Sequence, residues 1–137
     1  MAYAKPLPKP TKEDREFWQA AKEHRLVLPR CRDCGYVWFP PYLACGRCLS
    51  SNREWVTASG RATVWGYVEM AHPYIPSFAP EIPYNVVLVK LDEGPLMFSN
   101  VVSVANSAIH TDMPVEAVFE DVTPEFTLIK FKPRQQR

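Results

Sequence analysis

The sequence predicts a mainly β protein in which an N-terminal helix precedes a cysteine module for a metal and a small five-stranded barrel. Three observations support this prediction: helical spacing of apolar residues near the start, two close pairs of cysteines, and alternation of apolar and polar residues beyond residue 60. We divide the 137 residues into an arm and helix (1–25), the cysteine module (26–57) and the barrel (58–137). This length suits one domain, or two very small ones that share a core.

The N-terminal helix is expected at about 12–24, after an extended arm that contains three prolines. Thr11 begins a sequence typical of a capping box, in which side chain and backbone bond reciprocally at the start of a helix. Helical spacing unites four residues on one face, namely Phe17, Ala20, Ala21 and His24. Trp18 widens that face. Since so short a helix is marginal alone, Phe17 and Trp18 must pack either in this chain's own core or on a partner protein.

The cysteine module contains all four cysteines of the chain, in two C-x-x-C pairs: Cys31, Cys34, Cys45 and Cys48. This spacing can bring four thiolates to one tetrahedral centre, the closed arrangement that zinc prefers in structural sites. Short strands are expected beside the pairs, at 26–28, 36–39 and 54–56. We therefore predict a rubredoxin-like zinc ribbon. Because protein sulfurs fill every ligand position, the metal is expected to stabilise the structure and not to catalyse.

Other uses of the cysteines are less favoured by the sequence. Iron in a tetrahedral four-sulfur site remains an alternative, because thiolates accept either metal. A thioredoxin-like redox pair would need one C-x-x-C beside a βαβ unit, and the sequence has no such pattern. The polar, proline-rich start does not resemble a signal peptide, so disulfides are not expected and we predict a cytoplasmic protein. No apolar run approaches the roughly 18 residues of a membrane span.

The barrel is predicted from strict alternation after Gly60. The first strand should have one face formed by Val64, Gly66, Val68 and Met70, and another by Thr63, Trp65, Tyr67 and Glu69. Four more strands are expected at 84–91, 96–102, 115–119 and 127–131. Five strands with a long first strand predict a closed Greek-key barrel, the OB-fold, with an SH3-like barrel as the nearest competitor.

The whole pattern resembles a family of small zinc-ribbon plus OB-fold proteins associated with acyl-CoA metabolism, long catalogued as a domain of unknown function. The motifs that carry the resemblance cover most of the chain: the 16–18 helix segment, the 26–35 and 40–48 ribbon segments, Gly60, Pro83-Tyr84 and the 91–94 turn. One departure is visible. Members of the family usually carry a glycine just before the fourth barrel strand, where this chain has Asp112-Met113-Pro114.

The resemblance implies an accessory role. Proteins of this family act as partner subunits of thiolase-like enzymes, including thiolases, acyltransferases and aldolases, in hetero-oligomers where the larger subunit carries the catalytic residues. This chain is then expected to support such an enzyme on acyl-CoA thioesters, either as a scaffold or by shaping the acyl-CoA entrance. Its own residues agree, because the three histidines lie in separate segments without a nucleophile motif beside them. No catalytic residue is predicted.

The proline-rich loop at 72–83 is the second candidate contact for a partner or an acyl group. Prolines reduce the entropy lost on docking, and large apolar side chains supply contact energy. The candidate residues of this loop are Tyr74, Ile75, Phe78 and Ile82. The alternative is a lid that packs over its own barrel.

Nucleic-acid binding is the rival function, because zinc ribbons and OB-folds both occur in such proteins. The formal net charge is +1, from 16 Lys and Arg against 15 Asp and Glu, and it becomes −1 once four thiolates and one Zn²⁺ are counted. A nucleic-acid footprint normally shows a basic excess. For CoA phosphates, by contrast, several arginines are available if they group together: Arg30, Arg32, Arg47, Arg53 and Arg61.

Overall fold

The computed structural model describes Tyr3 and residues 5–134. It contains one α-helix, α1 (Arg15–Lys22), and a two-stranded sheet of β1 (Val27–Cys31) and β2 (Arg53–Thr57). A five-stranded sheet follows, formed by β3 (Arg61–Met70), β4 (Tyr84–Leu91), β5 (Leu96–Ser99), β6 (Pro114–Asp121) and β7 (Thr127–Pro133). In the part of the chain described, no helix is both long and apolar enough to cross a membrane. The expected N-terminal arm lies in part outside these residues, at 1–2 and 4, and residues 135–137 lie outside them as well.

Helix α1 is shorter than predicted, and the predicted bounds of 12–24 are wrong at both ends. The capping bonds do form: the Thr11 backbone N–H donates to Asp14 Oδ1 (2.6 Å), and the Glu13 N–H donates to Thr11 Oγ1 (3.2 Å). They close a turn in front of the helix, which begins only at Arg15. At the other end His24 adopts a φ of 60°, which ends the helix and takes its side chain away from the buried face.

The two-stranded sheet places the ribbon beside the barrel. β1 and β2 are antiparallel, with Val27 opposite Thr57 and Cys31 opposite Arg53. The strand predicted at 36–39 does not form, and the contact there is a single bridge between Arg30 and Val37. The segment then runs into two consecutive prolines at 40–41, which have no N–H to continue a ladder.

The five-stranded sheet has the order β5-β4-β3-β6-β7, and every neighbouring pair is antiparallel. The sheet curls until its edges meet at a parallel bridge, where the Val102 N–H donates to the Phe131 oxygen (2.7 Å). This bridge explains why the third barrel strand ends at Ser99 and not at 102 as predicted: the chain leaves β4 and bonds to β7 instead. The architecture is that of the predicted OB-fold, a curled five-stranded sheet.

A β-bulge in β3 overturns the predicted alternation of its faces. Val64 pairs with Val89, but Gly66 already pairs with Leu88, so Trp65 is an extra residue. Val64 is fully buried in the barrel, whereas Val68 is 55% exposed on the outside. The prediction that these two valines share a face is therefore wrong, because the bulge exchanges the faces of the strand at residue 65.

One hydrophobic core runs through helix, ribbon sheet and barrel. Phe17 and Ala21 of α1, Leu28 of β1 and the buried barrel residues belong to a single cluster that includes Val89 and Phe131. Cys31, Trp38 and Cys45 of the ribbon form a separate small cluster. The helix therefore completes the core of the barrel. The ribbon has a second, smaller hydrophobic cluster beside the cysteines.

Candidate metal centre and partner surfaces

The four cysteines converge on one point. Their Sγ atoms all lie within 4.8 Å of one another, with 3.5 Å between Cys31 and Cys48 and 3.6 Å between Cys34 and Cys45. A tetrahedron with Zn–S bonds of about 2.3 Å has sulfurs about 3.8 Å apart, whereas a disulfide brings them to about 2.0 Å. All four thiols are free. The arrangement therefore fits a single tetrahedral metal ion.

Each C-x-x-C pair forms a tight backbone turn, here called a knuckle, that directs N–H groups at the sulfurs. The Cys34 N–H donates to Cys31 Sγ (3.4 Å), and the N–H groups of Arg47 and Cys48 donate to Cys45 Sγ (3.3 and 3.4 Å). Gly35 has a φ of 81° where the first knuckle closes, a conformation that glycine adopts without strain. These donors stabilise negative charge on the two buried sulfurs, those of Cys31 and Cys45.

The pKa values of the thiols diverge because the four sulfurs are so close. Burial raises the pKa of Cys45, but the N–H groups of Cys48 and Arg47 outweigh it and hold that pKa at about 7. The Ser50 N–H lowers the pKa of Cys48, yet the Cys31 sulfur, burial and the other two sulfurs raise it to about 12. Four thiolates at this spacing repel one another, so full ionisation calls for a cation among them. A divalent metal supplies that charge.

Arg53 joins the ribbon to α1, a link that the sequence did not reveal. Its Nη1 donates to the carbonyl oxygens of Pro41 and Tyr42, both at 2.9 Å, and its Nη2 donates to the Glu13 oxygen at 2.9 Å. The guanidinium also lies 4.7 Å from the ring centroid of Trp55. The guanidinium of Arg53 therefore binds backbone and aromatic groups of this chain and has a structural role.

The aromatic residues of α1 have different surroundings. Phe17 is 3% exposed, within 5.1 Å of the Trp18 ring centroid and 5.4 Å of that of Phe39. A partner could not reach Phe17 without moving α1. Trp18 is half-buried, donates from Nε1 to Asp14 Oδ2 (3.3 Å) and lines an apolar groove of about 320 Å³ between α1 and the edges of β5 and β7. Only Trp18 presents surface that a partner can touch.

The loop at 72–83 folds into a 3₁₀ helix, Pro76–Glu81, and is held by the N-terminal arm. Lys5 pairs with Glu81 at 2.8 Å and lies 5.4 Å from the Phe78 ring centroid. Phe78 in turn lies 5.3 Å from the ring of Tyr84, and Ile82 is half-buried. The other two candidate residues point outward, with Tyr74 74% and Ile75 46% exposed. The loop thus combines an inner pair that packs on the barrel with an outer pair that is free.

The five arginines considered for CoA phosphates do not share one site. Arg30 and Arg32 both approach Glu54, at 3.9 and 3.8 Å. Arg47 lines a cleft of about 570 Å³ between the first knuckle and the β4–β5 turn, together with Tyr36. Arg61 lies in a different depression, of about 220 Å³, beside Gly60 and Ala117. The structure therefore forms no single basic mouth from these residues.

The three histidines also lie apart. His24 Nε2 is 3.0 Å from Asp121 Oδ1, and its ring stacks on Phe119 with centroids 5.2 Å apart. His72 contacts the Tyr74 ring, and His110 bonds locally to the Thr111 carbonyl oxygen. The three histidines therefore lie in three different places, and none of these contacts involves a cysteine.

An exposed apolar surface on β3, β4 and β5 escaped the sequence reasoning. Its most exposed members are Phe98 (73%), Val68 (55%) and Trp65 (54%). The signal was present in the sequence as an apolar residue at every position of 96–98, but the bulge that turns Val68 outward has no clear signature.

The fold and the cysteine centre together define a protein with a rubredoxin-like metal ribbon in front of an OB-fold. Two family models match: ChsH2 rubredoxin-like zinc ribbon domain over residues 18–54, and ChsH2 C-terminal OB-fold domain over residues 55–120. The chain belongs to this ChsH2-type zinc-ribbon and OB-fold family, also known as DUF35. The predicted resemblance and fold class are thereby confirmed.

Relatives with known descriptions include single-module and longer proteins. The chain is 30% identical over 107 residues to a DUF35 domain-containing scaffold protein of Methanocaldococcus jannaschii, covering 77% of this chain and 75% of that protein. It is 40% identical over 121 residues to the "Probable enoyl-CoA hydratase alpha subunit" of Thermomonospora curvata. That match covers 88% of this chain but 37% of the relative, so the chain spans less than two fifths of the hydratase subunit.

Solved structures support the same assignment. A chain of the Ltp2-ChsH2(DUF35) aldolase superposes with a TM-score of 0.84 at 36% identity, covering 93% of this chain and 98% of that one. A DUF35-family protein of unknown function from Sulfolobus solfataricus has a TM-score of 0.63 at 14% identity, covering 90% and 86%. The second likeness shows the fold alone. The first extends over nearly the whole of a subunit from an aldolase complex.

Proposed function

We propose that this chain is a non-catalytic accessory subunit that binds and supports a thiolase-like enzyme, such as a thiolase, acyltransferase or aldolase, acting on acyl-CoA thioesters. The observation that carries the proposal is the superposition on a chain of the Ltp2-ChsH2(DUF35) aldolase over 98% of that chain. The scaffold proteins and the acyl-CoA hydratase subunit among its relatives point in the same direction.

The chemistry of the described residues supports an accessory role. The cysteine centre is closed, with all four sulfurs directed at one another, so a metal held there has no open position for a substrate. The histidines lie in three separate surroundings. General acid–base or nucleophilic catalysis needs such groups within hydrogen-bond reach of each other, and the larger subunit is the place where we expect them.

The metal in this proposal is zinc, held by Cys31, Cys34, Cys45 and Cys48. Zinc supplies no reaction here; it offsets half of the negative charge of the four thiolates and holds the two C-x-x-C turns together. Iron would fit the same tetrahedron. Purification followed by elemental analysis distinguishes the two: about one zinc per chain is expected, whereas a red protein with one iron per chain would replace zinc in the proposal. Zinc-ligating thiolates persist in reducing surroundings, and we therefore place the chain in the cytoplasm.

The contacts proposed for the partner or acyl group include Trp18 and the loop residues Tyr74 and Ile75. Trp18 opens on an apolar groove, and the two loop residues are exposed. The contribution of the more buried candidates is indirect. Phe17 packs α1 against the core, and Phe78 and Ile82 pack the loop against the barrel. In the proposed division, the 1–25 arm and helix and the 58–137 barrel provide these contacts, and the 26–57 ribbon holds them in position.

Co-purification tests the proposal directly. The chain is co-expressed with a candidate thiolase-like protein from its own organism, with a tag on one of them, and a stable hetero-oligomer is the expected result. The activity of the larger subunit on an acyl-CoA thioester is then measured with and without this chain. A larger subunit that is equally soluble and active alone, and that does not retain this chain, would overturn the proposal.

A loop variant separates a scaffold from a subunit that shapes the acyl-CoA entrance. Tyr74→Ala with Ile75→Ala is expected to raise the KM for the acyl-CoA thioester if the loop lines the entrance, with the complex still formed. If the same variant weakens the complex and leaves the KM unchanged, the loop contacts the partner only. Tyr42→Ala, an exposed tyrosine of the ribbon, is the matched control.

A further inference from the structure

The outward residues of β3, β4 and β5 form a continuous apolar surface, here named the outer face. The pairing of Leu88 with both Gly66 and Phe98, and of Val68 with Val86, places these side chains on the same side of three adjacent strands. The inward residues of the same strands, such as Val87 and Val89, are fully buried. The apolar members of the outer face are Trp65, Val68, Val86, Leu88, Leu96 and Phe98.

The exposed apolar area of the outer face is large for a single chain. An aromatic side chain can bury about 150–250 Å², so the free parts of Trp65 and Phe98 alone amount to about 200–300 Å². With Val68 and Leu96 the face reaches the size of the largest patches on monomers, which are often functional. A standard interface buries about 800 Å² per partner. The outer face therefore has the size of the apolar centre of such an interface.

A depression in the middle of the face can receive a side chain. It measures about 100 Å³, roughly the volume of three water molecules, and Gly66 lies at its floor. Apart from Gly66 itself and its two neighbours in the chain, no heavy atom of the described residues lies within 4 Å of the point where a Cβ on Gly66 would be. Val86, Leu88 and Phe98 line its sides. Its shape and apolar lining fit one small apolar side chain of another molecule.

The charge on the face distinguishes between possible occupants. Lys90 lies between Thr63 and Leu96, and its Nζ is 5.1 Å from the Trp65 ring centroid. Among the described residues it has no carboxylate within salt-bridge distance. A second copy on the same face would bring a second lysine to the shared surface, where like charges repel. A different protein that presents a carboxylate fits better.

The outer face is also continuous with the groove at Trp18. Phe98 lines both the central depression and the apolar groove between α1 and the barrel edges. A single partner surface can therefore cover the outer face and reach Trp18 through Phe98. This joins a contact residue proposed from the sequence to a surface that only the fold shows.

We propose that the thiolase-like subunit docks on the outer face, with an apolar side chain seated over Gly66 and a carboxylate beside Lys90. The proposal rests on the proposed function for the identity of the partner and adds the surface that binds it. Phe98 is its central contact. The loop at 72–83 then lies outside the centre of the interface.

Two substitutions test this surface in the full chain with its co-expressed partner. Phe98→Glu places a charge at the centre and is expected to weaken binding at least about 30-fold, the loss typical of a hot spot. Gly66→Val fills the depression. Because Gly66 lies in a strand and has open space around it, valine is expected to leave the fold intact while blocking the partner. Tyr42→Glu, an exposed aromatic residue of the ribbon, is the control.

Affinity is measured by titration calorimetry, after circular dichroism and metal content have shown each variant folded. Binding by the unaltered chain and by Tyr42→Glu, with loss in Phe98→Glu and Gly66→Val, supports the proposal. Retained binding in both face variants overturns the docking surface but not the accessory function. An unaltered chain that fails to bind overturns both. Equal loss in the ribbon control would also overturn the assignment to this face.

Lys90 provides the test of partner chemistry. Lys90→Glu is expected to weaken binding more than Lys90→Gln, because it would bring two carboxylates together. Sedimentation of the chain alone should show a monomer, and a dimer that Phe98→Glu dissociates would assign the face to a second copy instead. A salt-sensitive shift with single-stranded nucleic acid that Trp65→Ala abolishes would assign it to the rival class of ligand. Either outcome overturns the proposal.

Discussion

Arg53 Nη2 donates a 2.9 Å hydrogen bond to the backbone carbonyl oxygen of Glu13, and so joins β2 to the turn that precedes α1. The same guanidinium binds the carbonyl oxygens of Pro41 and Tyr42, in the segment between the two cysteine pairs. One side chain therefore connects the metal ribbon with the helix that carries Trp18. The position of α1, and of Trp18 on it, therefore depends on the ribbon through this arginine.

Replacing Arg53 should loosen both attachments at once. Arg53→Met keeps much of the aliphatic stem but removes the charged donor from three carbonyl oxygens, of which that of Tyr42 keeps a second donor, Trp38 Nε1 at 3.2 Å. Hydrogen bonds from charged groups contribute about 1.5–3 kcal/mol each where no other donor replaces them. We expect a loss of about 2–4 kcal/mol in the free energy of unfolding, measured by urea denaturation of the metal-loaded protein. Arg30→Met is the control, since its exposed 3.9 Å pair with Glu54 should contribute less than about 0.5 kcal/mol. Equal effects of the two substitutions would contradict the linking role.

Removal of the metal should unfold the ribbon and abolish the complex. Four sulfurs within 4.8 Å repel one another once ionised, so the knuckles cannot hold their geometry without a cation. A strong chelator is expected to expose the tryptophans of the ribbon, seen by fluorescence, and to prevent binding of the larger subunit. The barrel strands should persist in circular dichroism. Normal complex formation by metal-free protein would show that the ribbon does not position the partner surface.

The buried amide of Asn85 should be a strong determinant of barrel stability. Asn85 is 8% exposed; its Nδ2 donates to the Val101 oxygen (2.8 Å), and its Oδ1 accepts from the Val101 N–H (2.7 Å). These bonds hold the chain where it leaves β5 and turns to β7. Asn85→Ala leaves both backbone groups unsatisfied, at a cost of about 1–3 kcal/mol for each buried group. We expect a loss of about 2–4 kcal/mol in urea denaturation.

Asn106→Ala is the comparison for Asn85. Asn106 Oδ1 accepts from Asn85 Nδ2 at 3.0 Å, and Asn106 Nδ2 donates to the Pro83 oxygen at 3.1 Å, but the residue is more exposed than Asn85 and water can replace these partners. We expect its replacement to cost less than half as much. If Asn106→Ala were the more damaging substitution, the network would be centred on the 106–108 turn and not on the strand junction.

Acid should destabilise the contact between the C-terminal end of α1 and the β6–β7 hairpin. The Thr127 hydroxyl and, after it, His24 lower the pKa of Asp121. A carboxylate with a lowered pKa in the folded state stabilises the fold above its unfolded pKa of about 3.9, and that stabilisation is lost as the pH falls through the folded value. Asp121→Asn should therefore lower the melting temperature at pH 6 and have little effect at the most acid pH where the protein still folds.

Thermal melts between pH 2 and pH 6 measure the effect of Asp121. The control is Glu125→Gln, which replaces an exposed carboxylate in the same hairpin. Its effect on the melting temperature should be small and should not change with pH between 2 and 6. A difference between the unaltered chain and Asp121→Asn that stays constant down to the lowest pH would contradict the role of the ionised carboxylate.

Local sequence signals were sufficient for the elements whose geometry depends on near neighbours. The two C-x-x-C pairs indicated a four-sulfur centre because each knuckle is closed by residues within five positions of it, as in the Gly35 N–H bond to the Cys31 oxygen (2.9 Å). β4 (Tyr84–Leu91) was predicted with correct ends from a segment rich in valine, a residue type favoured in strands, and its residues do alternate between a buried and a more exposed face. The capping bonds of Thr11 were likewise local, although they close a turn before the helix.

Contacts between distant segments decided the rest, and no local pattern encodes them. The bulge at Trp65 follows from how β3 must pair with β4 and with Pro114 of β6 at the same time, and it turns Val68 outward. β5 ends at Ser99 because Val102 bonds to Phe131, 29 positions away in the chain. Lys5 pairs with Glu81, and Arg53 with Glu13, through side chains whose partners lie 76 and 40 positions away.

The amino-acid order alone thus indicated the class of fold, the cluster of four cysteines and the absence of a nucleophile motif, because these depend on residue type and short spacing. The tertiary structure decided which apolar residues are free to meet another molecule. Phe17 was a candidate contact and is buried; Phe98 was read as an ordinary strand residue and is 73% exposed. Exposure depends on how remote strands and helices cover one another, so a partner surface is a property of the packed chain.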